Sequence, residues 1–327
     1  MLISILIPTR NRIGYLRLSL ASALAQEGVN IEVLVSDDGS VDETREYVSA
    51  VAASDHRVRL LTDNPTPGIF ENVEHLVAAA AGDAFTILGD DDLLDPDLCR
   101  RLWEPMEADA SVVLTFCDHR TIDEYGRLLK RATREVSRLY GRAALPEGPL
   151  DEPETVALRG GIWLGFALYR RAVFESERFD PSCATAADWD FAIRASQRGR
   201  LYYVAAMMGA YRDHRGTASR GLRNQAELAM KVLSKHLMRD PSAEQLRQEM
   251  LRATAKRSAY HMAAVDRAAA RQSLDLYFRL GGRAWSLHVL AAWVILALPR
   301  WAAVRAHSAI SSISSGIRTL KRVAASP

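Results

Sequence analysis

The stretch Ala84-Phe85-Thr86-Ile87-Leu88-Gly89-Asp90-Asp91-Asp92-Leu93-Leu94-Asp95-Pro96 runs from a short apolar segment straight into three adjacent carboxylates. The apolar part has the length and character of a buried strand. In an α/β sheet, ligands bind at the carboxyl ends of the strands. Carboxylates this close repel one another and stay ionised together only with positive charge among them. A hard divalent cation that also touches a diphosphate meets that need, since Mg²⁺ and similar ions favour one or two carboxylates plus substrate phosphates. The plainer alternative is an acidic turn whose aspartates cap the next helix. The surrounding sequence weighs against it.

Upstream, strand-like and helix-like segments alternate. Leu2–Ile7 is continuously apolar, as a parallel strand covered on both faces must be. Ile13, Leu16, Leu20 and Leu24 then recur at helical spacing, predicting a helix to about Gln26. Ile31–Val35 is a second strand, ending in Ser36-Asp37-Asp38-Gly39-Ser40. Ser40 and Glu43 have capping-box spacing, so the next helix is expected to start there and run towards Ala53. Val58–Leu61 is a third strand. After the loop Asp63-Asn64-Pro65-Thr66-Pro67-Gly68, a helix over Ile69–Ala80 leads to the strand before the acidic triplet. A βαβαβαβ series implies a mostly parallel, Rossmann-like sheet flanked by helices. Beyond Pro96 a helix to about Met106 and a strand Val112–Phe116 follow. Residues 117–160 read as irregular, Gly160–Tyr169 as extended, Asp188–Gln197 as a helix and Leu201–Ala205 as a late strand. From about Leu222 onward the pattern is helical, which gives a main domain over 1–220 and a helical extension over 221–327.

Polar clusters end several of these strands: Pro8-Thr9-Arg10-Asn11, Asp37-Asp38 and Asp90-Asp91-Asp92. Asp188-Trp189-Asp190, opening a later helix, is expected to face the same crevice. Any one cluster alone reads as a turn. Their alignment on one rim points to a ligand site.

In order and spacing, Ile3–Asn11, Glu32–Ser40 and Leu88–Asp92 resemble the family 2 inverting glycosyltransferases with the A-type nucleotide-diphospho-sugar fold, over roughly residues 1–215. The resemblance implies transfer of a sugar from a nucleotide donor, expected to be UDP-linked, to a hydroxyl of a glycan or lipid-linked acceptor. It places Thr9 and Arg10 in the base pocket, with Pro8 and Asn11 among the donor-binding residues and Asp37 supporting the turn. Asp38 accepts a hydrogen bond from the base, and a carboxylate, which only accepts, selects an edge bearing a donor, as uracil N3 does. Asn72 matches a position near the donor. Asp91 aligns with the acid that faces the ribose or sugar, and Asp92, with Asp90 in a D-x-D arrangement that also touches the donor, holds Mn²⁺ or Mg²⁺. Asp188 matches the catalytic base, with Asp190 as fallback. In Tyr211-Arg212-Asp213-His214, Arg212 offers charge to the diphosphate and His214 reaches the metal. Trp163, Phe166 and Trp189 are candidates for an acceptor wall. Gly89 and Ala187 depart from the family pattern, where acids are common.

The 327 residues carry a net charge of +2 that conceals a division. From Leu201 to Pro327 there are 20 basic and 7 acidic residues, against 22 and 33 in residues 1–200, and no acid follows Asp275. An acidic front suits cation-assisted chemistry, and a basic tail suits an anionic partner. The apolar segment Trp285–Leu298 makes about 21 Å of helix against a hydrocarbon core of roughly 30 Å, too short to span. Flanked by Arg283, Arg300, Trp301 and Arg305, then Arg318, Lys321 and Arg322, it suits a helix lying in an anionic membrane surface. No nucleic-acid-binding motif accompanies it. Three scattered cysteines exclude a disulfide scaffold and a zinc site. Met1-Leu2-Ile3-Ser4 lacks a basic lead, so no secretory signal is expected and the site of action is expected to be cytoplasmic, peripheral at the inner membrane face. Two other readings are a degenerate transferase acting as a binding or assembly subunit, and a sugar-nucleotide pyrophosphorylase. Residues 8–14 lack the Gly-rich loop of the latter.

Overall fold

The computed structural model describes residues 1–62, 68–216, 225–299 and 301–308. The apolar run after Leu2 forms β1 (Ile3–Thr9), buried from Ile3 to Ile7. There follow α1 (Ile13–Leu24), β2 (Ile31–Asp37), α2 (Thr44–Ser54), β3 (Val58–Leu61), α3 (Ile69–Ala79), β4 (Ala84–Ile87), β5 (Leu93–Leu94), α4 (Leu98–Ala108) and β6 (Val112–Ile122). Next come α5 (Lys130–Leu139), β7 (Gly148–Pro149), α6 (Pro153–Leu158), β8 (Ala167–Arg170), α7 (Arg171–Ser176), α8 (Ala187–Ala195) and β9 (Arg200–Arg212).

The strands form one sheet in the order β3-β2-β1-β4-β8-β6-β9-β5, with β7 on β9. β1, β2, β3, β4, β6 and β9 run one way, and the short β5, β7 and β8 run against them. Ile5, Ile7, Val33 and Val35 pack against Leu16, Leu20 and Val48 of α1 and α2 in one continuous core. In the register, Thr9 pairs with Asp37 and Leu6 with Ile87. The loops leaving β1, β2 and β4 therefore emerge on one edge.

Four local expectations are corrected. The Ser40–Glu43 capping box does not form. The Ser40 hydroxyl accepts the Asn11 N–H at 2.8 Å, and α2 starts four residues later, at Thr44. Residues 117–160 are not irregular: β6 continues to Ile122, and α5, β7 and α6 follow. The late strand runs from Arg200 to Arg212 and pairs with β6 along its length. Gly160–Tyr169 is only partly extended, with a 3₁₀ turn at Leu164–Phe166.

The chain divides into two compact units, Met1–Leu222 and Arg223–Pro327. The second holds α9 (Gln225–Lys235), α10 (Pro241–Met262), α11 (Arg267–Arg279) and α12 (Leu287–Ala297). Asp240 and Asp266 cap α10 and α11 by accepting backbone N–H groups of their first turns. Ala255, Ala259, Leu274, Val289, Ala292 and Ile295 form the core of this unit. Among the described residues no helix is long and apolar enough to cross a membrane. The loop residues Asp63, Asn64, Pro65, Thr66 and Pro67, the expected 220/221 boundary, Arg300, and the tail residues Arg318, Lys321 and Arg322 lie outside the described residues.

Candidate active site

The loops at the carboxyl edge enclose a cleft of about 520 Å³ lined by Pro8, Thr9, Arg10, Arg12, Asp38, Gly68, Ile69, Asn72 and Asp90. Two loops are tied together at its rim. Asn11 takes a left-handed conformation (φ 53°), and its side-chain carbonyl accepts the Val41 N–H at 2.8 Å. Asn11 thus joins the first loop to the second through its side-chain carbonyl and its backbone N–H. Asp37 is buried, accepts the Ser40 N–H at 3.0 Å and pairs with Arg45. Asp38 faces the cleft, where it accepts the Gly68 N–H at 3.2 Å and lies 3.6 Å from Arg10. Asn72 is buried against β2 and donates to the Ser36 carbonyl at 2.9 Å.

The acidic triplet sits where β4 ends. Thr9 donates to Asp90 at 2.8 Å, and Arg12 bonds Asp90 at 3.1 Å and Asp91 at 2.6 Å. Asp92 accepts the backbone N–H of Arg212 at 2.9 Å. Burial, reinforced by the neighbouring charge of Asp91, pushes Asp90 up to about 6. The same two causes hold Asp92 well above the usual carboxylate range. Gly89 makes the crowding possible. A Cβ there would lie 3.0 Å from a carboxylate oxygen of Asp91 and 3.0 Å from one of Asp92. Any side chain at this position would press on both carboxylates, so glycine is what lets them stand this close.

Arg212 and His214 close the triplet from β9, in different ways from those expected. The Arg212 guanidinium is buried and donates to the carbonyls of Asp91 at 2.8 Å and Asp123 at 3.2 Å, fixing the turn rather than facing the cleft. His214 Nδ1 accepts the Gly216 N–H at 3.1 Å, so Nε2 carries the proton and donates to Asp91 at 2.9 Å. Among the described residues no group of three or more His, Cys, Asp or Glu is arranged to hold a metal ion. The donor set is nonetheless chemically suited to a hard cation. Burial and crowding hold the Asp90 and Asp92 carboxyls high, and a guanidinium already sits among the carboxylates as a hard cation would.

Asp188 lies in the first turn of α8, open to solvent, and its carboxylate accepts the Trp189 N–H at 2.7 Å. Desolvation by the neighbouring protein nevertheless pushes the carboxyl up to about 6. Its charge bears on the buried phenol of Tyr169 and the half-buried phenol of Tyr140 and raises both further. Asp190, the fallback, is fully buried and paired with Arg194 at 2.8 Å, which commits it to structure. Ala187 is buried. The acceptor wall is reduced: Phe166 belongs to the core, whereas Trp163 and Trp189 are half-buried with their indoles anchored to carbonyls of Gly160 and Ala157.

Two features escaped the sequence reading. Arg12 follows Asn11 directly, and its relation to the triplet bridges 78 residues, so only its place in a strand-end loop hinted at it. The second is a buried network of Asp118, Ser137 and Arg142 behind Trp163, in the region read as irregular.

Sheet, cleft and acidic rim together define an A-type glycosyltransferase. Residues 4–177 match Glycosyl transferase family 2, more than half of the chain, and the chain belongs to that family. It is 31% identical over 241 residues to the succinoglycan biosynthesis protein ExoO of Rhizobium meliloti, covering 71% of this chain and 66% of that one. It is 26% identical over 205 residues to a chondroitin synthase of Pasteurella multocida, covering 62% of this chain but only 20% of that protein. The mannosyltransferase PcManGT from Pyrobaculum calidifontis, solved with GDP-Man and Mn²⁺, shares the fold with a TM-score of 0.56 at 19% identity, over 90% of this chain and 86% of that one.

Proposed function

We propose that residues 1–220 form an inverting glycosyltransferase domain that moves a sugar from a nucleotide-diphospho-sugar, UDP-linked, to a hydroxyl of a glycan or lipid-linked acceptor in the synthesis of a surface polysaccharide or glycoconjugate. The observation that carries this reading is the cleft joining Thr9, Arg10, Asp38 and Asn72 to Asp90 of the triplet. Asp38 offers an acceptor to a base N–H, as the uracil assignment requires. Asp91 would face the ribose or sugar, with Asp90 beside it at the cleft. Asp92 and Asp90, with His214 once it releases Asp91, would hold Mn²⁺ or Mg²⁺, which when bound neutralises charge on the departing diphosphate. Asp188 takes the proton of the acceptor hydroxyl as that oxygen attacks the anomeric carbon opposite the diphosphate. A carboxyl raised to about 6 is poised for this work near neutral pH.

A panel of UDP, GDP, CDP and ADP with Mn²⁺, Mg²⁺ or EDTA tests the donor site by thermal shift, since a ligand bound only by the native state raises its apparent stability. UDP with Mn²⁺ is expected to raise Tm, and EDTA or Asp92→Ala to abolish the rise. A folded protein indifferent to every nucleotide would favour a binding or assembly subunit.

We further propose that the C-terminal unit lies on an anionic membrane surface. The α12 stripe Leu287, Leu290, Trp293 and Val294 is exposed, Trp285 and Trp301 are 88% and 71% exposed, and exposed Arg279, Arg283 and Arg305 accompany them without an acid beyond Asp275. Apolar insertion plus basic attraction describes an interfacial helix. The chain is expected to sediment with vesicles containing phosphatidylglycerol and not with pure phosphatidylcholine, and Trp293→Glu is expected to release it. Equal recovery with both vesicles would remove the charge argument.

A further inference from the structure

We propose that Arg12 is the resident cation of the acidic triplet in the donor-free protein, and that by changing partners it couples binding of a divalent cation to binding of the diphosphate. This deepens the metal-dependent donor reading and rests on it.

The geometry is specific. One guanidinium nitrogen of Arg12 bridges Asp90 at 3.1 Å and Asp91 at 2.6 Å, while the other donates to the Gly216 carbonyl at 2.6 Å. The same Asp91 oxygen also accepts from His214. The other arginines nearby are engaged elsewhere: Arg10 faces Asp38, and Arg212 is turned to backbone carbonyls. Among the described residues Arg12 is therefore the one arginine whose side chain pairs with the triplet carboxylates. It also draws the segment after β9 onto the triplet. Tyr15, one turn along α1, supports that segment, its ring 4.9 Å from that of His214 and 5.1 Å below the Arg212 guanidinium.

A divalent cation entering beside these carboxylates meets a positive charge already bound to two of them. Like charges at such range repel strongly where water is excluded. Arg12 also lines the cleft, with a side chain 28% exposed on the side where a nucleotide would enter. A diphosphate in the cleft offers it a new anionic partner of the kind arginine prefers. Moving to the diphosphate would vacate Asp90 and Asp91 for the cation and release the Gly216 carbonyl. Cation and diphosphate then bind cooperatively, each by the same factor. Arg12 is thus a positioning residue.

The test measures free Mn²⁺ by electron paramagnetic resonance in titrations of the full chain, with and without UDP or GDP, for wild type, Arg12→Gln and Arg12→Lys. Thermal melting confirms that each variant is folded. The wild type is expected to bind Mn²⁺ weakly alone and about tenfold or more tightly with the nucleotide. Arg12→Gln should bind Mn²⁺ alone about tenfold more tightly than wild type, with most of the nucleotide coupling gone. Arg12→Lys should retain it. Coupling that survives intact in a folded Arg12→Gln, with Mn²⁺ affinity unchanged or weaker, overturns the role of Arg12 and leaves the metal reading standing. Nucleotide binding in the wild type with no Mn²⁺ bound in any titration overturns both.

Discussion

Asp188→Asn is expected to lower turnover about 10³-fold, within the range general-base catalysis supplies, while leaving the donor KM within a factor of a few. The side chain keeps its size and can still accept the Trp189 N–H, but it cannot take a proton. The pH profile carries the sharper signature. Surrounding protein pushes the Asp188 carboxyl up to about 6, so its basic form fills as pH rises through that value. Wild-type kcat should therefore climb about tenfold per pH unit below 6 and level off above it, and the residual rate of the variant should lack that limb. Stability runs the other way. The folded protein holds this proton more firmly than the unfolded chain, whose carboxyl titrates near 3.8, so the stabilising contribution is full below that value and is lost as pH rises through about 6. At pH 8 the variant should melt at the same temperature as wild type or higher. Asp190→Asn is the contrasting control. It removes the partner of Arg194 from a fully buried site and should lower Tm. A folded Asp188→Asn protein keeping more than a tenth of wild-type turnover would falsify the assignment.

Much of the sheet was legible because local signals and global burial agree there. Ile3–Ile7 and Ile31–Val35 are apolar without interruption because both faces of their strands are covered, and the polar residues cluster where those strands stop. β6 was cut short for the opposite reason. Asp118, His119 and Arg120 look like loop residues, yet they continue the strand because Arg142 and Asp95, 24 and 25 residues away, neutralise two of them. Both His119 nitrogens are buried without a partner, and burial holds that imidazole neutral, down to about 3. The capping box failed because a non-local claim on Ser40 overrode a local pattern. The candidate site shows the same division. Residue types at strand ends could be read directly. Which arginine faces a carboxylate and which faces a carbonyl depends on contacts between β1, β4 and β9, and no local pattern encodes that.

Arg142→Met is expected to destabilise the first unit by about 3–5 kcal/mol, the usual result of stripping one partner from a buried ion pair. Arg142 has no side-chain exposure and donates to Asp118 at 2.7 Å and to the Gly161 carbonyl at 3.2 Å. Its guanidinium also lies 5.6 Å from the Tyr140 ring and 5.5 Å from that of Trp163. Without it the Asp118 carboxylate stays buried, held only by the His119 N–H and the Ser137 hydroxyl. For a unit of this size the loss corresponds to a fall in Tm on the order of 10 °C. The cost lies in the stranded charge rather than the missing bond, and this can be separated. Asp118→Asn combined with Arg142→Met removes both charges and should recover a good part of the loss, a coupling of about 1–3 kcal/mol in a double-mutant cycle. Additive single effects would show that the pair contributes through packing alone. The change should also reach the site. Arg142 fastens Gly161 at the start of the segment that runs to Phe166, and a Cβ at Gly165 would stand 3.3 Å from the Ile87 carbonyl, at the end of β4 just before the triplet. Loosening that segment loosens a wall of the strand end that presents Asp90, Asp91 and Asp92. A folded Arg142→Met protein should therefore show a raised donor KM at temperatures well below its Tm.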